Sequence, residues 1–126
     1  MSSSSSTDSR VLLVEDDTSL CNLIAHELGQ IGLAVTSTDS SVDAIIKVQQ
    51  EPYAVLLLDI MLNGTSGLYV IDALRDLPSD DRPRVVVITG ARGSILSNID
   101  RTIVRAVFFK PLDMTSLGAY VKSIAR

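Results

Sequence analysis

The five residues Ala54-Val55-Leu56-Leu57-Leu58 are apolar without a break, and the sixth, Asp59, is a carboxylate. A strand with one wet face alternates apolar and polar residues. An unbroken apolar run therefore suits a strand covered on both faces, as in the interior of a parallel sheet. Asp59 cannot stay unpaired inside that layer, so it is expected to emerge at the carboxyl end of the strand. In open α/β sheets this is the edge where ligands bind. The stretch Asn63-Gly64-Thr65-Ser66-Gly67 is turn chemistry that takes the chain away from the sheet. Asp59 is the first candidate functional residue.

The same grammar recurs along the chain. Arg10-Val11-Leu12-Leu13-Val14 runs into Glu15-Asp16-Asp17, Val85-Val86-Val87-Ile88 into Thr89-Gly90, and Ala106-Val107-Phe108-Phe109 into Lys110-Pro111. Leu33-Ala34-Val35-Thr36 reads as a short edge strand. Apolar residues at helical spacing fill the intervals. The first helix carries Leu20, Leu23, Ile24, Leu28 and Ile31, with Asp17 or Thr18 as N-cap and Gly32 as the stop. Ser41 is expected to cap a second helix through Val42, Ile45, Ile46 and Val48, which Pro52 closes. Val70, Ile71, Leu74 and Leu77 mark a third. A weaker fourth runs through Ile95, Leu96, Ile99, Ile103 and Val104, and Asp113 caps a fifth holding Leu117, Tyr120, Val121 and Ile124.

Such alternation, with crossovers this long, requires parallel strands joined right-handedly and helices on both faces. The three most apolar runs, beginning at Val11, Ala54 and Val85, belong in the centre. The expected fold is therefore α/β: a doubly wound, five-stranded parallel sheet of order 2-1-3-4-5, flavodoxin-like, with five helices.

The totals exclude several classes. The chain's 126 residues fit one domain able to bury a core. No apolar run approaches the roughly 20 residues that cross a bilayer. The serine-rich residues 1–9 lack an apolar signal-peptide centre and read as a disordered tail on a cytoplasmic domain spanning 10–126. A net charge of −4 leaves no footprint for nucleic acid or an anionic membrane. Cys21 is the single cysteine and reads as a structural or surface thiol.

In a parallel sheet Glu15-Asp16-Asp17, Asp59, Thr89 and Lys110 all come to one edge. Carboxylates about 4 Å apart repel by roughly 4 kcal/mol per pair at an effective dielectric near 20. A divalent cation relieves this, and all-oxygen ligation favours a hard ion such as Mg²⁺. A carboxylate nucleophile, a metal, a lysine and a hydroxyl together suit phosphoryl transfer. Taken singly, each residue has a plainer use: the acids as a solvated helix cap, Asp59 as an Asx-turn residue, Lys-Pro as a turn.

Val11-Leu12-Leu13-Val14-Glu15-Asp16-Asp17, Leu56-Leu57-Leu58-Asp59-Ile60-Met61-Leu62, Ile88-Thr89-Gly90 and Phe109-Lys110-Pro111 resemble, in order and spacing, the four signatures of the receiver domain of two-component response regulators. The similarity covers about residues 10 to 126. It implies that Asp59 accepts a phosphoryl group from a histidine kinase or a histidine phosphotransfer protein. It implies that Mg²⁺ is held by Asp16 directly, by Glu15 largely through water, by Asp59, and by Met61 through its backbone carbonyl. Thr89 and Lys110 would contact the phosphoryl oxygens, and the Lys110-Pro111 bond is one the family often holds cis. The side of the first helix with Thr18, Cys21 and Ala25 resembles the face offered to the phosphodonor. Nothing after Ala119 resembles an output domain, so a stand-alone receiver that switches partner binding is expected.

The sequence departs from that pattern in two places. Asn63 stands where proline is usual, and Val107 stands three residues before the lysine, where a switching Tyr or Phe is usual. Phe109 shares the strand parity of Val107. The rivals are a phosphorylation-silent interaction module of the same fold, an Asp-nucleophile phosphohydrolase and a flavin-binding flavodoxin-like domain. Met61 occupies the place of the phosphohydrolase's second acid, and the three acids after the first strand would repel a flavin's phosphate. His26-Glu27 lacks the second histidine of a zinc helix, because Gln30 stands there.

Overall fold

The computed structural model describes residues 9–62, 65–90 and 93–125. The expected tail through residue 8, Asn63, Gly64 and Ala91 lie outside the described residues. In chain order the elements are β1 (Arg10–Val14), α1 (Thr18–Gln30), β2 (Ala34–Thr38), α2 (Ser41–Gln50), β3 (Val55–Asp59), β4 (Met61–Leu62), β5 (Thr65–Ser66), α3 (Leu68–Leu74), β6 (Arg84–Thr89), β7 (Val104–Phe109) and α4 (Met114–Ile124). Two 3₁₀ helices, Ser79–Asp81 and Gly93–Asn98, complete the set. No helix among the described residues is long and apolar enough to cross a membrane.

The main sheet is parallel, in the order β2-β1-β3-β6-β7. With the antiparallel hairpin β4–β5 set apart, this is the expected order 2-1-3-4-5. Every residue of β3 is buried, as its unbroken apolar run requires. Alternate residues feed two cores. Leu12, Val14, Leu56, Leu58, Val85 and Val87 pack under α2 and α3. Val11, Leu13, Val55, Leu57, Val86 and Ile88 pack under α1 and α4. Each such side chain stabilises the fold by about 1.5–3 kcal/mol relative to exposure.

Local chemistry sets the helix ends. Asp17 caps α1 through Leu20 N–H at 3.1 Å, and Asp113 caps α4 through Ser116 N–H at 3.1 Å. Ser40, not Ser41, caps α2, accepting from Asp43 N–H at 3.1 Å. Ser41 instead enters the helix, is buried, and donates to the Ser66 carbonyl at 3.5 Å.

Among the described residues the expected five helices are four. The crossover between β6 and β7 forms the 3₁₀ helix Gly93–Asn98, and Val104, expected in a helix, opens β7. Gly93, Ser94, Ser97 and Asn98 are poor helix formers, and the Asp100 carboxylate takes the Thr102 N–H at 2.9 Å, offering the backbone a partner outside a helix. Ile99 and Ile103 still bury against the sheet.

Strand β7 carries a bulge. Val85 pairs with Val104 but Val86 with Ala106, which leaves Arg105 as the extra residue. Uninterrupted alternation would have aimed Arg105 into the layer under α1 and α4. The bulge shifts the parity, so Ala106 and Phe108 take that layer and Arg105 is exposed.

Gly67 fixes the hairpin over the end of β3. Its N–H donates to the Ile60 carbonyl at 3.0 Å, and a Cβ there would lie 2.4 Å from the Asp59 carbonyl oxygen and 2.8 Å from Ile60 Cα. These are backbone atoms of a buried strand and cannot swing aside. Gly67→Ala is expected to destabilise the protein by about 2 kcal/mol. Gly29→Ala, in α1 with no atom within 4 Å of its Cβ, should leave stability equal or higher. Urea unfolding of both variants checks the contrast, and equal midpoints would overturn it.

Candidate functional site

Register brings the polar strand ends together. Val14 pairs with Leu58, Asp59 with Ile88 and Thr89 with Phe109, so Glu15, Asp59, Thr89 and Lys110 end neighbouring strands. The backbone continues the alignment: Glu15 N–H donates to the Thr38 carbonyl at 3.0 Å, and Lys110 N–H to the Thr89 carbonyl at 2.9 Å. The Lys110-Pro111 bond is cis.

The centre is one ammonium between two buried carboxylates. Lys110 Nζ lies 2.9 Å from Asp59 Oδ2 and 2.7 Å from Glu15 Oε1. Asp59 Oδ1 accepts the Met61 N–H at 2.8 Å, so the backbone after β3 orients the carboxylate. Glu15 Oε2 accepts the Asp17 N–H at 3.0 Å. Glu15 Oε1 is buried and, although close to Lys110, receives no well-aligned hydrogen bond. Burial, with repulsion from Asp59, holds the Glu15 carboxyl above the usual carboxylate range despite Lys110 and the Asp17 N–H. Burial acts to lower the Lys110 pKa, but close contact with the Glu15 and Asp59 carboxylates outweighs it and raises it.

Half-buried Asp16 completes an acidic cluster in which one oxygen each of Glu15, Asp16 and Asp59 lie within 4.8 Å of one another. Three carboxylates offer oxygens to one another's neighbourhood, Lys110 contacts two of them, and one buried Glu15 oxygen lacks an aligned donor. That donor set suits a hard divalent cation such as Mg²⁺. Glu15, Asp16, Asp17, Asp59, Met61, Gly90 and Lys110 line an open cleft of about 400 Å³.

The expected site residues therefore gather, with differences in depth. Thr89 is fully buried beneath the cleft, and it is Gly90 that lines its wall. A Cβ on Gly90 would meet nothing within 4 Å. The Met61 side chain is 54% exposed. Val107 is partly buried against the core under α2 and α3, while Phe109 is 40% exposed. Cys21 is half-buried and donates to the Glu15 carbonyl at 3.3 Å; burial and the surrounding acids push its thiol up to about 11, which keeps it inert. His26 is exposed and contacts Gln30.

Two contributors escaped the sequence reading. The Asp17 N–H on Glu15 is a backbone contact that no side-chain pattern announces. Gly67 was legible as a turn residue, but its contact with Asp59 required the fold.

Comparison with known proteins follows the same lines. The sequence model described as Response regulator receiver domain matches residues 11–122. The acid tolerance regulatory protein ActR of Rhizobium meliloti is 32% identical over 114 residues, 89% of this chain and 57% of that protein. The chain spans about half the length of the curated relatives it matches. The CheY-like receiver domain protein of Methanospirillum hungatei superposes with a TM-score of 0.80 at 22% identity, over 90% of each chain. The response regulator TrrA of Thermotoga maritima, in complex with Mg(2+)-BeF, superposes with a TM-score of 0.78 at 24% identity, over 91% of this chain and 97% of that one.

Removing the shared ammonium leaves two buried carboxylates facing each other. Lys110→Ala is expected to cost about 3 kcal/mol of stability in metal-free buffer. Urea unfolding reads this, and an unchanged midpoint would show that the carboxylates need no ammonium.

Proposed function

The chain belongs to the response regulator receiver domain family, and on that premise we propose that Asp59 accepts a phosphoryl group from a phosphohistidine donor, in the cytoplasm, with Mg²⁺ at the acidic cluster. The observation that carries this reading is the Asp59 carboxylate itself. It is buried, oriented by the Met61 N–H and Lys110, and opens on a cleft whose other wall is acidic.

In the transfer, an Asp59 oxygen forms the new P–O bond while the P–N bond to the donor imidazole breaks. The electron pair of that bond returns to the ring nitrogen. Asp16 would hold Mg²⁺ directly, Glu15 largely through water, and Met61 through its backbone carbonyl. The ion, when bound, neutralises charge on the phosphoryl oxygens. Lys110 is assigned the ionic contact to a phosphoryl oxygen and Thr89 the hydroxyl contact.

The face of α1 carrying Thr18, Cys21 and Ala25 is where a histidine kinase or histidine phosphotransfer protein would dock. Phosphorylation would then alter which protein partner is bound. The catalytic contribution is confined to self-phosphorylation from a donor and slow self-dephosphorylation. The competing reading, a phosphorylation-silent interaction module, is disfavoured because the acceptor, both acids and the lysine are all present and gathered.

Incubation with acetyl phosphate and Mg²⁺ is expected to add the mass of one phosphoryl group, acid-stable and base-labile as an acyl phosphate. Asp59→Asn should abolish the gain while the circular dichroism spectrum is unchanged, since the amide is isosteric. A gain that persists in Asp59→Asn, or is absent from the wild type, would overturn the assignment.

Lifetime follows from water alignment. Hydrolysis requires a water in line with the P–O bond, and side chains that orient it speed decay. Met61, two residues after Asp59, is a poor hydrogen-bond acceptor; Ala91, two after Thr89 and outside the described residues, has no polar side-chain atom. The phosphorylated form is expected to last on the order of minutes or longer, and Met61→Asn or Ala91→Glu to shorten it. Decay in Mg²⁺ without a phosphatase reads this. Loss within seconds, or no acceleration in either variant, would overturn it.

A further inference from the structure

At the amino end of the sheet, opposite the carboxylates, Arg82, Arg84 and Arg105 line one cleft of about 330 Å³. Asp80 is the one acid in its wall among the described residues. Elsewhere arginines find carboxylates: Arg10 pairs with Glu51, and Arg75 with Asp72 and Asp100. Arg82 and Arg105 form no ion pair among the described residues. In a chain of net charge −4, that pattern runs against the composition.

Two further observations show the cleft to be built. Arg82 Nε donates to the Leu77 carbonyl and Nη2 to the Arg75 carbonyl, both at 3.1 Å. These bonds fix the guanidinium plane and use two of its five N–H groups. Arg105 is the extra residue of the β7 bulge, and the bulge is what turns its side chain out of the core layer into this cleft. Arg82 and Arg105, without an ion pair among the described residues, share one wall with Arg84, and a planar fork is suited to bidentate contact with an oxyanion.

The geometry points to an anion site here, for a phosphate group, either free or carried as a monoester on a small molecule. The volume lies at the lower end of small-ligand pockets, room for a phosphate and a small body but not for a large cofactor. The site lies at the opposite end of the strands from Asp59 and does not depend on the phosphoacceptor reading.

The test is titration of isotopically labelled full-length chain, followed by backbone amide shifts at constant ionic strength with chloride as the balancing anion. Inorganic phosphate and glycerol phosphate are the probes. Saturable shifts are expected at residues 79–84 and 102–106. Tighter binding of the monoester would identify a carried phosphate, and equal or weaker binding a free one. Arg105→Gln should weaken binding about tenfold, and Arg105→Lys by less, since charge is kept and the fork lost. Arg105 is exposed, so both variants should unfold at the wild-type temperature. The proposal is overturned if shifts do not saturate or are confined to residues 88–90 and 110. Equal affinity in Arg105→Gln would overturn it too, as would binding of a polyglutamate peptide with neither phosphate compound bound.

Discussion

The contact of Lys110 with Asp59 and Glu15 is the interaction on which the site depends. Two carboxylates are held almost without solvent at the ends of adjacent central strands, and one ammonium serves both. Breaking such a pair exposes a buried charge that the surrounding apolar layers cannot solvate. The lysine reaches them only because β7 lies beside β6 and ends in register with it. Asp16 brings a third carboxylate oxygen within 4.8 Å of the other two, and that all-oxygen donor set makes a divalent cation a fitting occupant.

The sheet also sorts charge along its strands. An apolar strand buried on both faces has room for charge only where it enters and leaves the core. β1 opens on Arg10 and is followed by Glu15, β3 ends on Asp59 and β6 opens on Arg84, so arginines collect at the amino edge and acids at the carboxyl edge. β7 does not follow this rule from its sequence, because Arg105 lies within the strand. The bulge resolves the conflict by removing one residue from the alternation. A two-ended distribution of charge results from a fold whose strands all point one way.

Gly67 and the hairpin it anchors link the site to the α2 and α3 side. The hairpin leaves β3 directly after Asp59, and its first amide, Met61 N–H, holds the Asp59 carboxylate. Gly67, which follows it, packs so closely on the Asp59 carbonyl that no side chain fits there. Ser41 in α2 donates to the Ser66 carbonyl. Asp59, the hairpin and α2 are thus joined through hydrogen bonds between side chains and backbone and through the close approach of Gly67.

The sequence by itself determined the strand cores, the parallel order and the edge at which Glu15, Asp16, Asp59, Thr89 and Lys110 meet. Each of these follows from local patterns: unbroken apolar runs, helical spacing between them, and a charged residue where a run stops. Tertiary structure decided what those patterns leave degenerate. Ser40 rather than Ser41 caps α2 because Ser41 is drawn into contact with the hairpin. The crossover after β6 is a 3₁₀ helix, since weak helix formers yield to burial of Ile99 and Ile103. Val104 joins β7 and Arg105 bulges from it because pairing with β6 sets the register, and no periodicity within one segment contains its neighbour's register. The sharing of one ammonium by Glu15 and Asp59 belongs to the same class: it depends on distances between strands far apart in sequence, which only packing fixes.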